Sequence, residues 1–166
     1  KGRRSIRAFK RKAVPEEIVE KLIDAASWAP SAGNIQPWEF IIVQKPEIKR
    51  RLAEAALEQS FIEEASTVIV VCADEKRSSM GYGIRGRVLY CIQDTAAAAQ
   101  NILLAAYSLG LGACWVGAFN EKEAREILET PQEIRPVAMI PVGYPDESPS
   151  PRSRRALSRL VHHDSC

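Results

Sequence analysis

The chain has 166 residues, 46% of them hydrophobic and 27% charged, which is the profile of one soluble globular domain over residues 1–166. No apolar run reaches the roughly 18–20 residues that span a bilayer, and the basic start KGRRSIRAFKRK lacks the apolar stretch of a secretory signal, so no membrane partner is expected. The four cysteines (Cys72, Cys91, Cys114 and Cys166) show no CxxC and no zinc-like spacing with His162 and His163, which points to a reduced, cytoplasmic protein without a metal site.

A formal net charge of +2 hides an asymmetry. Residues 1–12 hold Lys1, Arg3, Arg4, Arg7, Lys10, Arg11 and Lys12, residues 152–162 hold Arg152, Arg154, Arg155 and Arg159, and neither stretch contains an acid. Solvated basic tails would be sticky toward nucleic acid. The interleaved Ile6, Phe9, Leu157, Leu160 and Val161 argue instead that both ends pack. Packed arginines need an anion beside them.

In chain order, the first helix is expected over residues 15–28, opened by Pro15, Glu16 and Glu17, with Ile18, Leu22, Ile23 and Ala26 at helical spacing. The connector APSAGNIQPWEF follows, dense in polar side chains and stiffened by Pro30 and Pro37. Phe40–Val43 reads as a strand, residues 46–58 as a helix and Thr67–Cys72 as a central strand. Residues 87–109 form the longest helix, thinned by Ala96–Ala99 and ended by Gly110 and Gly112. A strand over 113–119, a short helix over 120–129 and a strand over 136–145 complete the order. This alternation predicts a sheet with helices on both faces. The alanine-rich helix offers more close-packing surface than four strands need, so a homodimer is expected.

Gly81-Tyr82-Gly83-Ile84-Arg85-Gly86 fits GxGxxG, but eight residues separate it from the strand end at Cys72, and no acid lies between Asp94 and Glu121. A dinucleotide fingerprint needs both the close strand and the later acid. Residues 74–86 are therefore expected to be a flexible loop over a pocket. No nucleophile–base pair stands out, and the adjacent histidines near the C-terminus read as surface residues. The basic ends, the donors and acceptors of Ser31, Asn34 and Gln36, and the side-chain-free backbone at Gly117 instead suggest a flat anionic cofactor. Turn capping is the alternative use of Ser31 and Asn34.

Four blocks occur in order: RRSIRAF, APSAGNIQPWEF, QDTAAAAQNILLAAYSLGLGACWVGAF and RSRR. Together they resemble the FMN-dependent nitroreductase family over essentially the whole chain. The resemblance implies an α+β, three-layer α-β-α fold with a central mixed or antiparallel sheet of four to five strands, in an intertwined homodimer with two interfacial FMN sites. It implies that Arg3, Arg4, Ser5 and Arg7 hold the FMN phosphate and part of the ring edge. Pro30, Ser31, Ala32 and Asn34 would reach the flavin of the partner subunit, and Val116 and Gly117 would face the N5 region. Arg152, Arg154 and Arg155 would close on the phosphate, and Gln59 falls in a stretch leading toward the ring. No side chain need be catalytic, because FMN would carry the chemistry, with NAD(P)H as co-substrate and a nitroaromatic, quinone or flavin-like acceptor. A flavin- or nucleotide-loaded sensor without turnover is the alternative. Many family enzymes also carry a helical insertion over the active site, for which this chain has little room.

Overall fold

Thr67–Asp74 (β2) is the strand around which the molecule is built, and the computed structural model describes it together with the rest of residues 1–165. Cys166 lies outside the described residues. β2 pairs antiparallel with Trp38–Val43 (β1) on one side and Ile134–Gly143 (β4) on the other; Gly112–Ala113 (β3) adds to β4, giving the order β1-β2-β4-β3.

The run TVIVVC is apolar on both sides because both sides are covered. Ile69 and Val71 pack with Ala138, Ile140 and Val142 of β4 against Glu16–Ser27 (α1) and Cys91–Ser108 (α5). Val68, Val70 and Cys72 face the other way with Met139, against Pro46–Ala55 (α2), Phe61–Glu64 (α3) and Glu121–Leu128 (α6). Successive side chains alternate faces along a strand, so one continuous run feeds two cores. The three-layer α-β-α expectation holds, with an antiparallel sheet of four strands.

Three local expectations are corrected. The strand expected over 113–119 is confined to Gly112–Ala113, with a separate bridge from Val116 to Met139. The cause is Pro141: Cys114 N–H donates to its carbonyl at 3.3 Å, but proline has no N–H to return. The helix expected to reach residue 58 stops at Ala55, because Leu57 and Glu58 both take φ near +60°.

Residues 74–86 are not a loop. They form helix Glu75–Arg85 (α4), kinked by non-helical backbone at Tyr82 and Gly83, which passes through a π-helical stretch, Gly86–Tyr90, into α5. Asp74 caps α4 by accepting from Arg77 N–H at 2.8 Å, and the buried Ser78 hydroxyl donates to the Gly86 carbonyl at 3.0 Å. The glycines of the GxGxxG pattern serve this turn: Gly83 sits at φ 55°, ψ −139°, and a Cβ on Gly86 would collide with the backbone carbonyl of Ser78. An ion ladder ties the region to the sheet. Arg87 meets Glu75 at 3.1 Å, Glu75 meets Arg135 at 3.6 Å, and Arg135 meets Glu121 at 3.0 Å.

Candidate functional site

The N-terminal arm is an extended segment laid along the β3 edge. Ser5 bridges Ala113 in parallel fashion and Ile6 N–H donates to the Ala113 carbonyl at 3.0 Å. Lys10 N–H donates to Tyr144 O and Asp146 N–H to Ala8 O, both at 2.9 Å, while the Glu147 carboxylate accepts from the amides of Arg7 and Ala8. Buried Ile6 and Phe9 anchor it against Ala65. The basic N-terminus packs, as its apolar interleaving predicts.

Extended backbone sends alternate side chains to opposite sides, so Arg3, Ser5 and Arg7 form a row. Cys114 reports their position: burial pushes its thiol up, while Arg7, a hydrogen bond from Ser5 and Arg3 each pull it back. A thiol held up by burial stays protonated and is no nucleophile. Arg4 falls out of this row. Its Nη1 donates to the carbonyls of Lys1 (2.8 Å), Gly2 (3.1 Å) and Arg3 (3.0 Å), and its Nε is buried without a partner among the described residues.

Val116 exchanges both backbone hydrogen bonds with Met139 at 2.9 Å and is buried, leaving Gly117 exposed just beyond it. A Cβ on Gly117 would meet only the Trp115 indole, at 3.4 Å, so nothing else in this chain fills the space before that backbone. Gln59 donates to Ala56 O at 2.7 Å and Ala118 O at 3.2 Å, which places it beside this backbone.

The polar connector is held from below. Asp94, buried on α5, accepts from Ala32 N–H at 3.2 Å, and Asn101 donates to Ala25 O at 2.9 Å, fastening α1 and the connector to the same helix. Within the loop, Ser31 Oγ accepts from Gln36 N–H at 2.9 Å and Gln36 Nε2 donates to Asn34 Oδ1 at 3.1 Å. Gly33, Asn34 and Gln36 all take positive φ. Part of the loop's polarity thus goes into its own turn, while Pro30, Gly33, Asn34 and Gln36 stay exposed at its tip. Asp94 was not singled out by sequence reasoning; the available signal was one carboxylate in an alanine-rich helix.

The C-terminal arginines are not brought to the N-terminal row within one chain. Residues 150–165 are exposed throughout; Arg154 donates to the carbonyls of Arg152 and Ser153, and Arg155 to Arg159 O. Leu157 is 75% exposed and Val161 52%. The single chain therefore presents half of the expected basic cluster in place and the other half on an uncovered tail.

The donor set suits a flat phosphate ester: two guanidiniums and a hydroxyl in one row, an orphaned guanidinium N–H nearby, and a bare backbone at residue 117. The nitroreductase family model matches residues 1–144. The chain belongs to the nitroreductase family. Among this chain's relatives, a protein of Archaeoglobus fulgidus, provisionally named an NADH dehydrogenase/NAD(P)H nitroreductase, is 40% identical over 149 residues, covering 87% of this chain and 82% of its own. The FMN reductase (NADPH) of Bacillus subtilis is 30% identical over 175 residues, covering 98% of this chain and 70% of its own. The crystal structure of the NADPH:FMN oxidoreductase from Vibrio harveyi, complexed with NAD+, superposes with a TM-score of 0.91 at 27% identity, covering 99% of this chain and 75% of that one. Among the described residues, no helix is long and apolar enough to cross a membrane.

Proposed function

We propose that the protein is an FMN-dependent oxidoreductase that takes reducing equivalents from NAD(P)H and passes them to a small electrophilic acceptor, a nitroaromatic, a quinone or a flavin. The observation that carries this reading is the row of Arg3, Ser5 and Arg7 on a packed arm, together with the open backbone at Val116–Gly117, in a nitroreductase chain. Bound FMN supplies the hydride chemistry. The chain's own residues bind and orient. Arg3 and Arg7 neutralise the phosphate, Ser5 adds a hydroxyl donor, and the exposed Gly117 backbone lets a ring edge approach closely.

The reading makes the protein a homodimer of one domain per chain, working in the cytoplasm. Pro30, Ser31, Ala32 and Asn34 then reach a flavin held by the other copy, and the exposed loop tip is consistent with that role. The tail's Arg152, Arg154 and Arg155 close on a phosphate only once Leu157, Leu160 and Val161 are covered by a second chain. Donor and acceptor use one place in turn, so kinetics are ping-pong.

The test is the absorbance spectrum of the purified protein followed by anaerobic titration. Equimolar flavin, bleached by NAD(P)H and restored by a quinone or nitroaromatic, is expected. A colourless protein that takes up no added FMN overturns the reading; bound flavin inert to both nicotinamides converts it to a sensor.

A further inference from the structure

Beside the polar connector lies an open groove with about 990 Å³ of free space, at the upper end of the roughly 300–1,000 Å³ usual for small-molecule sites. It runs between the connector, α4 and the start of β4, and none of Arg3, Ser5, Arg7, Val116 or Gly117 lines it. Its walls combine three chemistries. Ile35, Met80 and Ile134 are apolar, and Met80 is 82% exposed with no described residue covering it. Glu133 offers carboxylate oxygens. Lys76 and Arg77 are adjacent cations, and neither forms an ion pair among the described residues. Arg77 Nη1 donates only to the Gln36 carbonyl at 3.3 Å, and the Asp74 carboxylate beside it is engaged by the Arg77 backbone N–H.

We infer that this groove takes the adenosine 2′-phosphate end of NADPH. An apolar slot suits a purine ring, a carboxylate accepts from a ribose hydroxyl, and two unpaired cations suit a phosphate monoester dianion. A ribose without the 2′-phosphate would use Glu133 and leave the two cations facing only Asp74. The inference rests on the proposed NAD(P)H-dependent activity, because the groove adjoins the connector at Ile35 and Gln36, so a dinucleotide lying in it is directed toward the flavin that the connector covers. Lys76 and Arg77 are then specificity-determining residues that set the choice of NADPH over NADH without touching the reacting atoms.

The experiment compares KM for NADPH, NADH and reduced nicotinamide mononucleotide on flavin-saturated enzyme, in the native protein, Lys76→Ala, Arg77→Gln and the surface control Lys21→Ala. The native protein is expected to favour NADPH. Lys76→Ala and Arg77→Gln each raise KM for NADPH by about tenfold, the worth of one charge-assisted phosphate contact, while NADH and the mononucleotide shift much less and Lys21→Ala changes nothing. An equal rise for the mononucleotide, which has no adenosine, would show that the changes merely disturb the connector and would overturn the inference. So would unchanged KM for NADPH. Calorimetric titration with adenosine 2′,5′-bisphosphate separates this proposal from the activity itself. Binding that Lys76→Ala weakens supports the groove even if no nicotinamide reduces the flavin, and absence of binding to the native protein refutes it even in an active enzyme.

Discussion

Asp94 accepts the backbone N–H of Ala32 at 3.2 Å, joining the longest helix to the polar connector from beneath. Burial pushes the Asp94 carboxyl up from its ordinary value of 3.8, while the Ala32 amide pulls it partly back. A carboxyl with a raised folded-state pKa binds its proton more tightly when folded. Its contribution to stability is therefore fully present below 3.8 and is lost as pH rises through the folded value. Asp94→Asn keeps an acceptor for Ala32 and removes the charge, so thermal unfolding of this variant should lose that falling limb and match or exceed the native protein at neutral pH. Asp94→Ala leaves the half-buried Ala32 N–H without its acceptor and should cost about 1–3 kcal/mol at low pH, and less once the native carboxyl ionises. A native-like pH profile in Asp94→Asn would exclude this carboxyl as the source.

The row formed by Arg3, Ser5 and Arg7 makes the second prediction specific. Each arginine supplies a charge-assisted bond worth roughly 1.5–3 kcal/mol. Arg3→Ala and Arg7→Ala should each weaken FMN binding by about ten- to a hundredfold, and Arg11→Ala, of equal charge change, by little. Dissociation constants at two salt concentrations decide the matter. Equal, small and salt-sensitive losses would mean a diffuse positive field rather than a site.

Residues 150–165 carry exposed Leu157, Leu160 and Val161 beside four arginines, Arg152, Arg154, Arg155 and Arg159, none of which is in an ion pair among the described residues. Deleting residues 150–166 should loosen a dimer and reduce flavin retention together. Sedimentation with simultaneous flavin absorbance measures both. A full-length chain that sediments as a flavin-loaded monomer would rule out the two-chain site.

Gly86 has no room for a Cβ, which would collide with the Ser78 carbonyl oxygen, where α4 leads into the long helix. Gly86→Ala adds a methyl that backbone must move to admit, an overpacking cost of about 1–3 kcal/mol or more. Chemical denaturation should show it, whereas Gly117→Ala, whose Cβ meets only a side chain, should leave stability nearly unchanged and act on flavin binding instead.

Three of the four strands, the helices other than α4 and the short α3, and the connector were legible in the sequence because their signals are local. The apolar run at Thr67–Cys72 can only be a strand covered on both faces, and the helix from Glu16 declares itself through acids, proline and period. The resemblance carried by four blocks pointed to the family and proposed a set of site residues, of which Arg3, Ser5 and Arg7 fall at alternate positions of one extended arm. Other features needed the third dimension. Residues 74–86 looked like a loop because three glycines depress helix propensity; the Asp74 cap, the Ser78–Gly86 contact and the Arg87–Glu75–Arg135–Glu121 ladder offset that cost only once the sheet is formed. The position of Arg4 outside the arginine row follows from an extended arm fixed by Ala113, a partner over a hundred residues away. Asp94 and Ala32, 62 positions apart, become a pair only when α5 passes under the connector. Local chemistry determines elements; contacts between distant residues decide which side chains face the same space, and a site is made of those.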